Sequence, residues 1–235
     1  MKNNRRQFVK QTVVAFAGLS IVPRHVLGKG FTAPSDRFNV GVIGTGAQAN
    51  GLLKRISKIP LARVIAGCDV HQNRLVKFTK SVEEQYQKNG IKGTVSVYED
   101  YHKMLENKDI DGVVVSTPDH WHAIPSIDAM KAGKHVYCEK PMSHTINEGR
   151  MMEKAARKYE RVLQTGSMQR SRADFRKACE LVRNGYLGKI EKVWVEVGNP
   201  SAPCNLPYQP TPSYLNWEQR LGPSQQRLYH KIIVE

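Results

Sequence analysis

The stretch FNVGVIGTGAQANGLL (residues 38–53) decides the fold of this chain, together with AGCDV (residues 66–70) downstream. It begins with an apolar run that is typical of a buried parallel strand. Gly44 and Gly46 then allow the backbone to turn sharply and to approach a bound pyrophosphate, which a Cβ would obstruct. The helix that follows points its N-terminal N–H groups and the positive end of its dipole at the phosphates. This order of strand, glycine turn and helix predicts a dinucleotide-binding site.

A second predicted strand, residues 62–68, ends in an acidic residue, Asp69. A carboxylate at that position accepts hydrogen bonds from a ribose diol and repels a 2′-phosphate, so it predicts NAD rather than NADP as the cofactor. Ala49 stands at the third position of the G-x-G-x-x-G/A pattern, where alanine is an allowed variant. The strand before the motif and the helix after it strengthen the prediction. The alternative is a glycine turn in another kind of α/β protein.

The chain after this motif alternates between short apolar strands and helices. Such alternation predicts a parallel sheet with helices on both faces. The predicted fold class is therefore α/β, with a Rossmann-type doubly wound parallel sheet in an NAD-binding domain at residues 37–160. The predicted strands are 38–43, 62–68, 95–98, 112–116, 134–138 and 161–166, and the predicted helices are 47–58, 71–88, 100–106, 125–132 and 146–159.

The pattern changes near Ser171. Residues 171–184 have the apolar stripe of an amphipathic helix, and residues 189–197 alternate between apolar and charged side chains, as a half-exposed strand does. These elements predict the start of a second, α+β domain at residues 161–235. A single strand does not make a stable sheet, so this second domain is expected to be incomplete.

The first 30 residues are predicted to be an export signal. The pair Arg5-Arg6, with Phe8 two positions later, precedes an apolar stretch at residues 13–22. This arrangement resembles a twin-arginine (Tat) signal, and the apolar stretch is too short to span a bilayer as a stable helix. The expected partner in export is the Tat translocase. The expected location is periplasmic or exported, or membrane-tethered if the signal is not cleaved. The alternative is an ordinary basic N-terminus.

The net charge of +15 does not indicate a nucleic-acid-binding protein. Residues 1–30 carry +6 of it, and the rest is spread along predicted helix faces, without an arginine-rich arm or an aromatic-interleaved pattern. No nucleic-acid partner is therefore expected. The four cysteines show no C-x-x-C spacing, and Cys68 and Cys138 belong to predicted buried strands, so we expect packed thiols. No zinc pattern is present, and no metal is expected.

Polar side chains follow three of the predicted strands. They lie in residues 116–122, in Glu139-Lys140-Pro141 and in residues 166–170. In an open α/β sheet, ligands bind beyond the carboxyl ends of the strands, so these three loops are expected to border the ligand. The alternative is that each loop is ordinary surface.

These motifs together resemble the Gfo/Idh/MocA oxidoreductase family. The resemblance rests on the Gly44–Ala49 turn, Asp69, the TPDHWH run at residues 117–122 and above all Glu139-Lys140-Pro141, and it covers the chain from about Arg37 to Pro223. It implies an NAD-dependent oxidoreductase that acts on a sugar or sugar derivative by transferring a hydride from a carbinol to NAD. It also implies homo-oligomers that form through the second domain in full-length relatives.

The resemblance also implies roles for individual residues. Lys140 matches the family's lysine near the nicotinamide and the reacting hydroxyl, and it is the expected catalytic residue. The expected substrate-binding residues are His120, Trp121, Gln169 and Arg170. The expected cofactor-binding residues are Gly44, Thr45, Gly46, Ala47, Gln48, Asp69, Ser116, Thr117, Pro118, Asp119, His122, Glu139, Lys140 and Gln164.

The sequence departs from the family after Lys140. Family members carry an Asp-x-x-x-His motif in their second domain, whereas the one histidine of the predicted second domain here, His230, follows Gln226 at the position of the aspartate. The resemblance therefore predicts a chain that is C-terminally truncated relative to the family and impaired in catalysis. Two alternatives remain open, an NAD-dependent glycosidase of the same fold and a non-catalytic remnant that binds NAD or sugar.

Overall fold

A computed structural model describes residues 36–91, 93–199 and 205–234 of the chain. Within these residues it contains one sheet of six parallel strands, flanked by helices. The strands are β1 (Phe38–Ile43), β2 (Ala62–Cys68), β3 (Ser96–Tyr98), β4 (Gly112–Val115), β5 (His135–Cys138) and β6 (Leu163–Thr165). The helices are α1 (Ala47–Ile56), α2 (Gln72–Lys88), α3 (Tyr101–Leu105), α4 (Ala123–Lys131), α5 (Ile146–Lys158), α6 (Ala173–Arg183) and α7 (Trp217–Leu221).

The strand order is β3-β2-β1-β4-β5-β6, so the direction of winding reverses between β1 and β4. This order is that of a doubly wound Rossmann sheet, and it confirms the predicted fold class. The sheet continues to Thr165, which pairs with Cys138 of β5. The last strand of the sheet thus lies beyond the predicted domain boundary at residue 160, and that boundary stays a prediction.

The register of the strands brings their carboxyl ends into one row. Ile43 pairs with Cys68 on one side and with Val115 on the other, and Val115 pairs with Cys138. Each following residue continues the ladder, since Gly44 N–H donates to the Cys68 carbonyl at 2.8 Å. The residues just after these strands, including the predicted acid and the glycine turn, thus lie along one edge of the sheet.

Two hydrophobic clusters cover the two faces of the sheet. Alternation along the strands separates them: Val42 and Val114 belong to one cluster, and Ile43 and Val115 belong to the other. Phe78 of α2 is fully buried in the first cluster. Since both faces are covered, the strands are mostly apolar, and β4 (GVVV) is entirely so.

The local signal at the start of α5 is confirmed. Thr145 is its N-cap and accepts a hydrogen bond from the Glu148 N–H, while the Glu148 carboxylate accepts one from the Thr145 N–H. This capping box satisfies N–H groups that the helix itself leaves without partners.

The predicted strand at residues 189–197 is wrong. The structure has no regular secondary structure there, and the side chains are exposed; Trp194 is 79% exposed and Val197 81%. The alternation is present, but a strand also requires a neighbouring strand for its N–H and C=O groups. No such neighbour lies among the described residues.

Residues 205–234, here named the C-terminal segment, pack against the end of β2 and the start of α2. The Gln72 N–H donates to the Tyr214 carbonyl at 2.9 Å, and the Asn216 N–H donates to the Val70 carbonyl at 3.0 Å. Leu215 is buried with Tyr229 in a small cluster of its own. The segment therefore lies at the edge of the sheet that carries the predicted ligand site.

The predicted export signal, residues 1–30, lies outside the described residues. Among the residues that are described, no helix has the length and apolar character needed to cross a membrane.

The described cysteines are expected to differ in thiol reactivity. Burial, with Asp69 nearby, raises the pKa of Cys68 to about 12, and burial raises the pKa of Cys138 to about 11. Cys179 is exposed. The reactive species is the thiolate, so a raised pKa slows the reaction at neutral pH. In a Cys204→Ser variant, which removes the cysteine outside the described residues, a thiol reagent at pH 8 should label one cysteine rapidly and two more only after denaturation. Rapid labelling of all three would contradict this burial.

Candidate functional site

A cavity of about 780 Å³ opens at the carboxyl edge of the sheet, beside the point where β1 and β4 diverge. This is the volume of a typical cofactor site and the place where doubly wound sheets bind ligands. The predicted site residues that line it are Gly44, Thr45, Gly46, Ala47, Gln48, Asp69, Ser116, Thr117, Pro118 and Trp121.

The glycine turn packs directly against the backbone that follows β4. Gly44 has φ +83°, in the left-handed region that favours glycine. A Cβ on Gly44 would lie 2.8 Å from the Ser116 carbonyl and from the Thr117 nitrogen. The Ser116 hydroxyl in turn donates to the Gly44 carbonyl at 2.7 Å. The turn and the β4 loop therefore form one rigid wall, which only glycine at residue 44 allows.

Helix α1 begins at this wall without a side-chain cap. Its N-cap is Gly46, which has no side chain to accept a hydrogen bond. The first N–H groups of a helix have no intrahelical partners, and the helix dipole places partial positive charge there. An anion such as a pyrophosphate would satisfy both features.

Asp69 is held at the end of β2 by three donors. Its Oδ2 accepts from the Thr45 N–H at 2.7 Å and from the Thr45 hydroxyl at 2.9 Å, and its Oδ1 accepts from the His71 N–H at 2.9 Å. Asp69 is only 8% exposed, yet it lines the cavity. A carboxylate oxygen has two lone pairs, so Oδ1 can still accept a ligand hydroxyl. The same carboxylate thus fixes the turn and faces the cavity.

Thr117 supplies an orphaned polar atom. Its hydroxyl oxygen is buried and has no hydrogen-bond partner among the described residues, and the residue lines the cavity. Buried polar groups are nearly always paired, so an unpaired one beside a cavity indicates a ligand contact. The uncapped helix, the glycine cradle and this hydroxyl together fit a dinucleotide.

His122 lies behind the cavity instead of lining it. The side chain is 1% exposed, and its Nδ1 and Nε2 lie 2.6 Å and 2.9 Å from the carbonyl oxygens of Pro141 and Thr117. It therefore ties the loop after β5 to the loop after β4. The resemblance implied contact with the cofactor, whereas the structure gives His122 a position that supports the cavity wall.

Glu139 and Lys140 follow β5 outside the cavity lining. Glu139 is 3% exposed; its Oε2 accepts from the Lys140 N–H at 3.2 Å, and its Oε1 has no hydrogen-bond partner in the part of the chain that the structure describes. A Cβ on Gly166 would lie 3.0 Å from that oxygen, so β6 ends directly beside it. The Lys140 side chain is exposed. The structure thus places this pair at the same edge of the sheet, one strand away from the cavity.

The structure does not bring the remaining predicted residues into the cavity lining. His120 lies at its border, with Nε2 3.1 Å from the Arg220 carbonyl, next to Trp121, whose indole N–H donates to the Gln219 carbonyl at 3.0 Å. The other predicted residues outside the lining are Asp119, Gln164, Gln169 and Arg170.

Several lining residues were not predicted from the sequence. Arg74 and Lys77, three residues apart on α2, face the cavity, and Arg220 reaches it from the C-terminal segment. The i, i+3 spacing on α2 could have indicated the first two, because such residues share one helix face. Arg220 had no comparable signal, since it depends on how a distant segment packs. Unpredicted acidic residues also line the cavity: Glu99 and Asp100.

Tyr101 adds a half-buried hydroxyl to the lining. Its O–H donates to the Asp128 carboxylate at 2.8 Å, and burial followed by this carboxylate raises the pKa of Tyr101. The tyrosine is thus a neutral donor already engaged by the protein.

Within residues 36–91, 93–199 and 205–234, no group of three or more His, Cys, Asp or Glu side chains could hold a metal ion.

Comparison with known proteins gives relatives of three kinds. The chain is 30% identical over 164 residues to a myo-inositol 2-dehydrogenase of Thermotoga maritima, which covers 70% of this chain and 46% of that protein. It is 29% identical over 206 residues to a glycosyl hydrolase family 109 protein of a Shewanella species, and this match covers 80% of this chain and 44% of that protein. Its fold resembles that of a 3-ketoreductase from Actinomadura kijaniata, solved as a variant in complex with TDP-benzene and NADP. That match has a TM-score of 0.58 at 27% identity and covers 66% of this chain and 44% of the other.

The chain therefore spans less than half the length of the curated relatives that it matches. The six strands of the sheet, the glycine turn and Asp69 all lie within residues 38–167. Residues 38–167, more than half of the chain, match the family described as "Oxidoreductase family, NAD-binding Rossmann fold" (GFO_IDH_MocA), and the chain belongs to this NAD-binding oxidoreductase family.

Proposed function

We propose that this chain is part of an NAD-dependent oxidoreductase that acts on a carbinol of a sugar or sugar derivative. One observation carries the proposal: the uncapped N-terminus of α1 and the Asp69 carboxylate face the same cavity at the switch point of the sheet. Relatives named as inositol dehydrogenase and 3-ketoreductase support the substrate class. The reaction of the whole protein is the proposed part, because the chain spans less than half of those relatives.

Each part of the site has one role in this proposal. NAD, when bound, supplies the ring that accepts the hydride. The N–H groups at the start of α1 bind the pyrophosphate, and Asp69 accepts a ribose hydroxyl at Oδ1. Lys140, at the end of β5, holds or takes the proton of the substrate hydroxyl at its Nζ atom. His122 keeps the β4 and β5 loops at a fixed separation through its two carbonyl contacts.

The proposal predicts that NAD binding and turnover are separable. Calorimetry should show NAD binding to the 235-residue chain, and NADH formation with myo-inositol, followed by absorbance, should be slow. The physical reason is that the chain has no Asp-x-x-x-His motif after Lys140, and a positioned acid/base contributes about 10²–10⁴-fold. Lys140→Met should abolish the residual NADH formation. The dissociation constant for NAD should change by less than about threefold, which is less than about 1.4 kcal/mol of binding free energy.

Lys158→Met is the matched control, because this lysine lies at the exposed end of α5, away from the cavity. It should leave both measurements unchanged. Absence of NAD binding would refute the cofactor role. Loss of NADH formation in the control as well would show that Lys140 has no special part. Binding with no turnover under any condition would favour a non-catalytic NAD-binding role.

A second candidate function is NAD-dependent glycoside hydrolysis. The observation in its favour is the relative named as a glycosyl hydrolase family 109 protein, which aligns with 80% of this chain. A glycosidase would release free sugar from an aryl glycoside without accumulating NADH, since the cofactor is regenerated in each cycle. Aryl N-acetylhexosaminides and hexosides, tested with and without NAD, would distinguish the two functions.

We also propose that residues 1–30 direct export by the Tat translocase. The support is the Arg5-Arg6 pair before a short apolar stretch. Fusion of these residues to a fluorescent reporter that folds in the cytoplasm should yield periplasmic fluorescence. The double change Arg5→Lys and Arg6→Lys should retain the reporter in the cytoplasm, while Arg24→Lys should not. Equal export of all three fusions would show that the pair is not a signal.

A further inference from the structure

Two side chains in the loop after β4 hold the end of the short helix α7. The Trp121 indole N–H donates to the carbonyls of Gln219 and Arg220, at 3.0 Å and 3.2 Å. His120 Nε2 lies 3.1 Å from the same Arg220 carbonyl, and a carbonyl oxygen only accepts, so Nε2 carries the proton. The last carbonyls of a helix have no intrahelical partners. The two side chains therefore supply donors that α7 lacks.

Gly222, the residue after α7, lies directly against the Trp121 ring. A Cβ on Gly222 would overlap the indole and would lie 2.6 Å from its nitrogen. The φ of Gly222 is +48°, in the left-handed region that favours glycine. The end of the helix and the indole thus pack together with no side chain between them. Both the N–H donor of Trp121 and the adjoining edge of its ring are engaged by the protein.

A separate set of contacts holds the start of α7 on the other side of the cavity. The N–H of Asn216, the N-cap of α7, donates to the Val70 carbonyl at 3.0 Å, and the Gln72 N–H donates to the Tyr214 carbonyl at 2.9 Å. Val70 and Gln72 follow β2, so α7 is held between the loops after β2 and β4, the two neighbours of β1. Loss of the contacts after β4 would free the end of α7 and leave its start in place.

Helix α7 carries a cation, Arg220, into the cavity. Burial is the main cause that lowers the pKa of Arg220; the positive charge of Arg74 lowers it further, and Asp69 raises it. The guanidinium is therefore coupled to charged groups of the opposite cavity wall. A dinucleotide carries two negative phosphate charges, so a cation held in its cavity favours binding. The place of this cation depends on the side chains that hold the carbonyl of Arg220 itself.

We propose that His120 and Trp121 are positioning residues, which hold the end of α7 and thereby keep Arg220 in the cavity, where its charge favours dinucleotide binding. The resemblance implied that both side chains bind the substrate, whereas in the structure their donors are paired with the protein. This inference rests on the proposed function, because it assumes that the cavity holds a dinucleotide.

Amide exchange, followed by NMR on the ligand-free chain, tests whether Trp121 holds α7. Trp121→Phe keeps an aromatic ring and removes the N–H donor. Exchange of the Arg220 and Gly222 amides, which donate within α7, should become about fivefold faster, the factor that one net hydrogen bond represents. The Gln72 amide, which donates to Tyr214, should exchange as before. Unchanged exchange in α7 would overturn the proposal.

A double-mutant cycle on NAD affinity, measured by calorimetry, tests the route through Arg220. Arg220→Gln should weaken NAD binding by about fivefold, and Trp121→Phe by about threefold. In the Arg220→Gln chain, Trp121→Phe should have almost no further effect, because the charge that it positions is already gone. Effects that multiply in the double variant would contradict the proposal, since Trp121 would then act on the ligand independently of Arg220.

Trp194→Phe is the matched control, because it makes the same change at an exposed indole outside the cavity lining. It should alter neither the exchange of the α7 amides nor the affinity for NAD. The same loss of affinity in this control would show that the effect of Trp121→Phe is not specific to the loop after β4.

His120→Ala replaces Trp121→Phe if that variant does not fold, which a thermal melt by circular dichroism would reveal. It removes the other donor to the Arg220 carbonyl, from a side chain outside the cavity lining. Faster exchange in α7 is again expected, and unchanged exchange would again overturn the proposal. Failure of NAD to bind to the unaltered chain would refute the proposed function, a result distinct from the outcome of the ligand-free exchange measurement.

Discussion

Replacing Gly44 by alanine is expected to lower the free energy of unfolding by about 3 kcal/mol and to weaken NAD binding by about a hundredfold. The new Cβ would lie 2.8 Å from the backbone after β4, and φ is +83°. The left-handed conformation costs a non-glycine residue about 1–2 kcal/mol, and overpacking costs about 1–3 kcal/mol more. The turn must move to relieve the contact, which displaces the α1 N–H groups from the phosphates; charge-assisted bonds of this kind contribute about 1.5–3 kcal/mol each. Urea unfolding and calorimetry measure the two effects.

Gly133→Ala separates the cost of the left-handed conformation from the cost of the close contact. Gly133 has nearly the same φ, +81°, but nothing lies within 4 Å of an added Cβ, and the residue follows α4 away from the cavity. Only the conformational cost of about 1–2 kcal/mol should appear, with no change in NAD affinity. If Gly44→Ala were as mild as Gly133→Ala in both measurements, the close approach of turn and β4 loop would not be a feature of the protein in solution.

Asp69→Asn is the second change with a large expected effect. The amide retains one acceptor oxygen and presents an NH₂ group to at least one of the donors that now bind the carboxylate, from Thr45 or His71. A buried donor left without an acceptor costs about 1–3 kcal/mol, so the free energy of unfolding should fall by about 2 kcal/mol. NAD affinity should fall by about tenfold, because the ribose loses a charged acceptor and the glycine turn loses its anchor.

Asp100→Asn provides the matched comparison. Asp100 lines the same cavity, but its side chain is 47% exposed and its role is to cap α3 through the His102 N–H. Asparagine caps helices about as well as aspartate, so stability should change by less than about 0.5 kcal/mol. Equal effects of the two substitutions would mean that the carboxylate at residue 69 has no special part in organising the turn.

The sheet and one wall of the cavity could be predicted from the sequence because both depend on local signals. The strand at residues 62–68 has the predicted bounds, and the capping box at Thr145 opens α5 as expected. Apolar runs, glycines and caps are properties of a few adjacent residues. The row formed by Gly44, Asp69 and Ser116 then follows from the parallel register of three neighbouring strands.

The other wall could not be predicted because it depends on packing between distant parts of the chain. Arg220 lines the cavity only because α7 packs beside Trp121, where a Cβ on Gly222 would overlap the indole ring. No periodicity at residues 205–234 indicates that contact. The strand at residues 189–197 was wrongly predicted for a related reason. Alternation is a property of adjacent residues, whereas a strand also needs a partner strand from elsewhere in the chain.

The distance along the chain between the two walls has a consequence for biosynthesis. A ribosome releases Gly44 and Asp69 early, and the sheet has its last strand once Thr165 has emerged, whereas Gln219, Arg220 and Val234 emerge later. The half of the pocket around the glycine turn can thus assemble before the half around Arg220 has left the ribosome. A nascent chain would meet the cellular nucleotide pool with one wall of the pocket still missing, and tight binding would begin only after residue 234 has emerged.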